Sequence, residues 1–187
     1  MSNDSIDWPK LVKGVREKNS EATNDFILSL QEPIFKFCIY LTGNQQLAED
    51  ICHDALVKAL TSIQQLRNPA QAKAWVKQIA RNQFLDYCKA ASQSKAHIGI
   101  EDAETQPELS IGSEASDRQI LAMEALQTLE ELDRSLVILV DIEGHTYSEV
   151  AEMTKLNEGT VKSKLFRARE KMSKFLGTKR APRSSNG

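Results

Sequence analysis

Two helix starts set close together near residue 150 constrain this chain more than any other feature. Thr146-Tyr-Ser-Glu149 has the spacing of a capping box. In that motif the Thr hydroxyl accepts from an orphan amide while the Glu carboxylate reaches back to the Thr N–H. It predicts a short helix over 147–153, with Val150 and Ala151 turned inward. Thr154 to Asn157 leaves space only for a turn, and Asn157 is suited to cap a second helix from about Glu158 to Leu176. Upstream, Ile120, Leu121, Ala125, Leu126, Leu129 and Leu132 repeat at helical spacing, and a further helix, 134–142, stops before Glu143-Gly144-His145. The sequence is that of a helical bundle closed by a helix-turn-helix.

The long last helix has two distinct sides. Val161, Leu165, Ala168 and Met172 form a narrow apolar stripe that packs inward. The opposite side carries Gly159, Ser163, Arg167 and Glu170, flanked by Thr160, Lys162, Lys164 and Lys171. A small, polar and cationic outer face fits the major groove of duplex DNA, where Arg and Lys bond to guanine edges. The charge distribution agrees. Although the net charge is only −2, nine bases and one acid lie between Lys162 and Arg183, whereas six acids and no base lie between Ile98 and Asp117.

That acidic stretch, 97–117, holds Gly, Ser and Pro without an apolar period and reads as a flexible linker. It divides the chain into an N-terminal extension (1–19), a helical domain (20–96), the linker (97–117), the helix-turn-helix domain (118–176) and a basic tail (177–187). No stretch alternates with period two, so the expected fold is all-α: two small bundles joined by a flexible acidic linker. Four helices are expected in the first bundle: Ser20–Leu30, Pro33–Leu41, Asn44–Ile63 and Ala70–Ala91. On the third, Ala48, Ile51, Cys52, Ala55, Leu56, Ala59, Leu60 and Ile63 cover about half the circumference. Such width fits either a central helix of the bundle or one that also receives a partner protein. On the fourth, Lys73, Lys77, Arg81 and Phe84 share one face, and Trp75, Ile79, Asn82 and Asp86 another, with Tyr87 nearer the core. Cations that track phosphates beside aromatics that receive unstacked bases suit single-stranded DNA, although Trp75 and Tyr87 fit a core equally well.

Taken together, these blocks resemble a known family. Leu136 to Met172, with D-x-E-G, Y-S-E-V-A and G-T-V-K-S-K-L-x-R-A-R, resembles region four of bacterial sigma factors. Leu41 to Asp86, with Y-L-T-G-N, A-E-D-I and A-W-V-K-Q-I-A-R-N, resembles region two. With this order and short linker, the chain resembles an extracytoplasmic-function (ECF) sigma factor across most of residues 20–176. The resemblance implies that Asp50, His53, Asp54 and Val57 meet the β′ subunit of core RNA polymerase, with the β subunit as a further partner. It implies that the loop 65–71 and the following helix, with Lys77, Arg81, Asn82 and Trp75, capture the −10 element of the promoter. Thr160, Lys162, Ser163, Lys164 and Arg167 would read the −35 element as duplex. An anti-sigma factor acting in trans is also implied. Three positions depart from the family pattern: His53 replaces a usual Gln, Ala72 a frequent aromatic, and Lys164 a frequent Arg, which keeps the charge without the bidentate fork.

Other readings are poorer. A repressor or activator independent of polymerase accounts for residues 120–176 and leaves the first bundle idle. An enzyme would start from Asp50-x-x-His53-Asp54, but His97 and His145 stand in no matching ligand motif. No catalytic residue, metal or cofactor is therefore expected. Cys38, Cys52 and Cys88 form no C-x-x-C pair and read as buried, inert thiols. The N-terminus lacks the pattern of a signal peptide, and the aliphatic run 136–140 is too short to span a bilayer, so a cytoplasmic protein without membrane insertion is expected.

Overall fold

The computed structural model describes residues 6–98 and 116–180, all helices and turns, with no strand among them. The chain divides into two compact units, residues 1–39 with 46–99 and residues 40–45 with 100–187. The linker expected at 97–117 falls mostly on 99–115, which lies outside the described residues, as does the end of the expected tail, 181–187.

The first unit contains α1 (Trp8–Arg16), α2 (Ser20–Thr42) up to residue 39, α3 (Gln45–Thr61) from residue 46 and α4 (Ala72–Ile98), with two single 3₁₀ turns at Ile63–Gln65 and Pro69–Gln71. Helix α1 falls in what the sequence suggested was a plain extension. Asp7 caps it by accepting from the Lys10 amide at 3.0 Å, and Pro9 occupies the first turn, where no backbone N–H is needed. Val12 and Val15 are buried, and the Trp8 ring meets Phe26 edge-on at 6.1 Å. The Arg16 guanidinium donates to the carbonyls of Ile63 and Leu66, tying α1 to the first 3₁₀ turn. Gly14 permits the close approach of α1 to α2, since a Cβ there would lie 2.4 Å from Ala22 Cβ.

Helix α2 corrects a second expectation. The two predicted helices are one, running through Pro33. Phe26, Leu30, Ile34, Phe37 and Cys38 are fully buried at helical spacing on both sides of the proline. Burying those side chains, at about 1.5–3 kcal/mol each, outweighs the roughly 3 kcal/mol penalty of an internal proline. Helix α3 supplies Ala48, Ile51, Cys52, Ala55, Leu56 and Ala59 to the same core, and α4 supplies Ala72, Val76, Ala80 and Phe84. Burial raises the thiol pKa of Cys38, with the neighbouring Cys52 adding to the rise, and pushes Cys52 up to about 11. Both are therefore neutral at physiological pH. Cys88 is half-buried rather than buried.

The second unit follows the predicted order. Helix α5 (Asp117–Gln127) starts at a further capping box, Ser116 with Gln119, and α6 (Glu131–Val137) continues into a π-helical turn, Ile138–Ile142. Leu136, Val137, Ile138 and Leu139 are buried there. Gly144, at φ 78°, ends that segment in a conformation that favours glycine. Helices α7 (Tyr147–Thr154) and α8 (Glu158–Arg180) complete the unit. No helix among the described residues is long and apolar enough to cross a membrane.

Candidate nucleic-acid interface

The turn between α7 and α8 is built from the side chains that predicted it. The Glu149 amide donates to Thr146 Oγ1 at 3.3 Å, and the Thr146 amide donates to Glu149 Oε2 at 2.8 Å. That amide, and the Thr146 hydroxyl, which also donates to Glu149 Oε2 at 2.8 Å, hold the Glu149 carboxyl below its ordinary pKa, helped by its proximity to His145. Lys155 closes α7 in the left-handed region at φ 58°. The Thr160 amide then donates to Asn157 Oδ1 at 2.7 Å, which caps α8.

The rotation of α8 is fixed from three sides. Val161, Leu165 and Ala168 are buried, and Met172 is half-buried. Arg169 binds Asp141 through two nitrogens, at 3.1 and 2.6 Å, and donates to the Tyr147 hydroxyl at 3.2 Å. Those bonds raise its pKa further, Asp141 contributing more than Tyr147. Lys164 Nζ meets Asp133 Oδ1 at 2.7 Å, with both side chains largely out of solvent.

That last pair separates Lys164 from the rest of the predicted duplex-reading set. Its ammonium ties α8 to α6, whereas Lys162, Ser163 and Arg167 are exposed on the outer face and Thr160 is half-exposed. Lys162 leans over the Tyr147 ring, 5.8 Å from its centroid, and pairs with Glu158 at 2.7 Å. The hydrogen bond and charge of Glu158 raise its pKa. Phe166, absent from the predicted set, stands on the same face, 71% exposed. Its helical offset from Lys162 and Ser163 is the signal that places it there.

In the first unit, Asp50, His53, Asp54 and Val57 form one exposed stripe along α3. The broad apolar side of this helix is instead buried within its own unit, so its width reflects the bundle rather than a partner. His53 Nδ1 lies 3.6 Å from Asp54 Oδ1. On α4 the structure divides the predicted single-strand set. Trp75 is half-exposed and Asn82 exposed, sharing a face with Gln78, Ile79 and Asp86. Lys77 and Arg81 are 2% and 5% exposed, on the side that buries Phe84. Lys77 lies over the Phe37 ring at 5.6 Å, and desolvation lowers the Arg81 pKa. Of the face expected to track phosphates, Lys73 is exposed while Lys77, Arg81 and Phe84 point inward, because Val76 and Ala80 beside them set the rotation of the helix. Tyr87, expected nearer the core, is 51% exposed. Among the described residues no three His, Cys, Asp or Glu side chains converge as a metal site.

A capped helix-turn-helix with a cationic outer face, preceded by a separate helical unit, places this chain among the DNA-binding proteins of transcription. Residues 26–93 match the family described as Sigma-70 region 2, and residues 119–172 match Sigma-70, region 4. The ECF RNA polymerase sigma factor EcfG of Rhodopseudomonas palustris (strain TIE-1) is 30% identical over 162 residues, covering 84% of this chain and 86% of the relative. The RNA polymerase sigma factor SigV of Bacillus subtilis (strain 168) is 32% identical over 138 residues, 74% of this chain and 81% of that one. The sigma factor RpoE from Bartonella quintana, solved in complex with the anti-sigma factor NepR, superposes with a TM-score of 0.68 at 25% identity. That match covers 82% of this chain and 96% of RpoE. The chain belongs to the ECF family of RNA polymerase sigma factors.

Proposed function

We propose that this chain is an alternative sigma factor that binds core RNA polymerase and delivers it to promoters by recognising their −10 and −35 elements. The observation that carries the reading is the outer face of α8. Lys162, Ser163 and Arg167 are presented together there by a turn that Asn157 caps. Arg167 and Lys162 suit guanine edges and phosphates, while Ser163 and Thr160 accept or donate at short range. Lys164 serves this face indirectly, by anchoring α8 to Asp133.

The exposed α3 stripe of Asp50, His53, Asp54 and Val57 is the docking surface for core polymerase, through β′, with β as a further partner. On α4, Trp75 and Asn82 take the unstacked −10 strand, and buried Lys77 and Arg81 hold the helix from behind. Stacking and hydrogen bonds to a flipped base offset an unstacking cost of a few kcal/mol. The protein performs no bond-making step and acts in the cytoplasm. An anti-sigma protein acting in trans is its natural inhibitor, as NepR is a partner of RpoE in the Bartonella quintana complex.

Run-off transcription with purified core polymerase tests the reading. Promoter-dependent product is expected only when this chain is added. If it neither co-purifies with core nor yields product, the reading falls and a polymerase-independent regulator takes its place.

A further inference from the structure

Helices α1 and α2 form a hairpin whose solvent side has no part in polymerase docking or DNA reading as proposed above. Lys18, in the left-handed region at φ 60°, reverses the chain, and Asn19 caps α2 by accepting from the Ala22 amide at 2.8 Å. Gly14 lets the two helices touch at Ala22, and Trp8 against Phe26 fixes their spacing on the core side. A preformed groove of about 840 Å³ runs between them on the outside. Leu11, Gly14 and Ala22 lie along it, and Ile6 and Leu28 stand at the end away from the turn.

Those last two side chains are out of place in an isolated hairpin. Leu28 is 61% exposed and Ile6 43%, and neither is used by the core. One exposed Leu needs no explanation, but two large apolar groups gathered on a rigid concave surface mark an interaction site. The charges around them give its sign. Asp7, Glu17, Glu21 and Asp25 line the groove against Lys10 and Lys13. Asp7 is engaged by the Lys10 amide, and Glu17 lies 3.9 Å from Lys13. Glu21 and Asp25, one turn apart, make no ion pair among the described residues. Leu28 follows Asp25 by three residues and Glu21 by seven, so all three share a face of α2.

Apolar anchors beside unneutralised carboxylates repel a polyanion, which sets this groove apart from the face of α8. They suit a helix with an apolar stripe bordered by Lys or Arg, laid into the groove by side chains one and two turns apart. We propose that the α1–α2 groove docks a cationic amphipathic helix of a partner protein. Its apolar anchors meet Ile6, Leu11 and Leu28, and its cations meet Glu21 and Asp25. None of these residues belongs to the α3 stripe or the α8 face, so the proposal stands independently of both assignments.

The test selects helical peptides from a display library on the immobilised full chain, with counter-selection on Leu28→Glu. Leu28 and Asp25 are exposed, so their variants should keep the wild-type circular dichroism and melting temperature. The peptides retained should carry Lys or Arg beside an apolar i, i+3, i+4, i+7 stripe. Their affinity should fall roughly tenfold or more with Leu28→Glu, the share of one buried Leu side chain. Leu28→Ala should show a smaller loss. Glu21→Lys with Asp25→Lys should weaken binding as well and remove most of its salt dependence. Retained peptides that are acidic, or that bind the Glu21→Lys/Asp25→Lys variant equally well, overturn the proposal, as does a library with no peptide that prefers wild type. It also falls if the full chain self-associates in sedimentation and Leu28→Glu abolishes that, since the occupant would then be a second copy.

Discussion

Thr146 satisfies two orphan backbone amides at once: its hydroxyl accepts from the Glu149 amide, and its own amide donates to the Glu149 carboxylate. Thr146→Ala removes the first bond and should lower unfolding free energy by about 1 kcal/mol in urea melts. Its partner adds a pH dependence with a definite sign. Glu149 has a folded pKa below its unfolded value, so the unfolded state binds more protons between the two. The contribution is present above the ordinary carboxylate value and disappears as pH falls through the folded one. Glu149→Gln should therefore be less stable than wild type at neutral pH and equal to it in acid; a gap that survives acidification would contradict this. Lys162 offers a second test at this scale. It is held by Glu158 at 2.7 Å, an exposed pair that Glu158→Gln would dissolve. Duplex affinity should rise severalfold and its salt dependence steepen, by up to about one counterion. An unchanged slope in a salt titration would show that Lys162 meets no phosphate. The Thr146 and Asn157 caps were legible because each acts within one turn of its own sequence.

Elements were legible to the extent that neighbours along the chain decide them. Helices α7 and α8 carry their own punctuation, and both stand where Thr146 and Asn157 put them. The capping box at Ser116 is written just as plainly as Ser-x-x-Gln, yet it sits in a stretch whose acids and glycines suggest linker. Pro33 misled in the other direction, since local chemistry argues for a break and the burial of Ile34 and Phe37 overrides it. Helix α4 shows the limit most clearly. Periodicity placed Lys77 and Arg81 on one face but could not say that the face points inward, because Phe37 of α2 approaches from far along the chain. The Lys164–Asp133 pair was hidden for the same reason, as it joins residues 31 apart. It gives the prediction at this scale. Asp133→Ala leaves a largely buried ammonium without its partner and should destabilise the second unit by about 1–2 kcal/mol. Duplex binding should weaken although Asp133 touches no DNA, and Lys164→Met combined with Asp133→Ala should recover part of the stability. If the double variant is no better than Asp133→Ala alone, the loss does not come from an orphaned charge.

At the scale of the whole molecule, the chain presents two charged faces on separate units, an acidic stripe on α3 and a cationic one on α8, which we propose as its working surfaces. Family membership joins them into one protein, but their chemistry differs. The stripe of Asp50, Asp54 and Val57 suits a protein surface with basic and apolar character, whereas Lys162, Ser163 and Arg167 suit a polyanion. If the division of labour is as proposed, lesions in the two faces should separate cleanly. Arg167→Ala should weaken binding of a −35 duplex by about 1–3 kcal/mol, roughly 5- to 150-fold, with core polymerase affinity unchanged. Val57→Asp, on a side chain 46% exposed and outside the core, should do the reverse. Its effect should appear in titration of core polymerase and not in salt-dependent duplex binding. Because the two sites lie on different units of the chain, the double variant should show the sum of the two effects in promoter complex formation. A double variant no worse than either single one would mean that the two faces act as a single surface, and the assignment of polymerase to α3 and duplex to α8 would have to be given up.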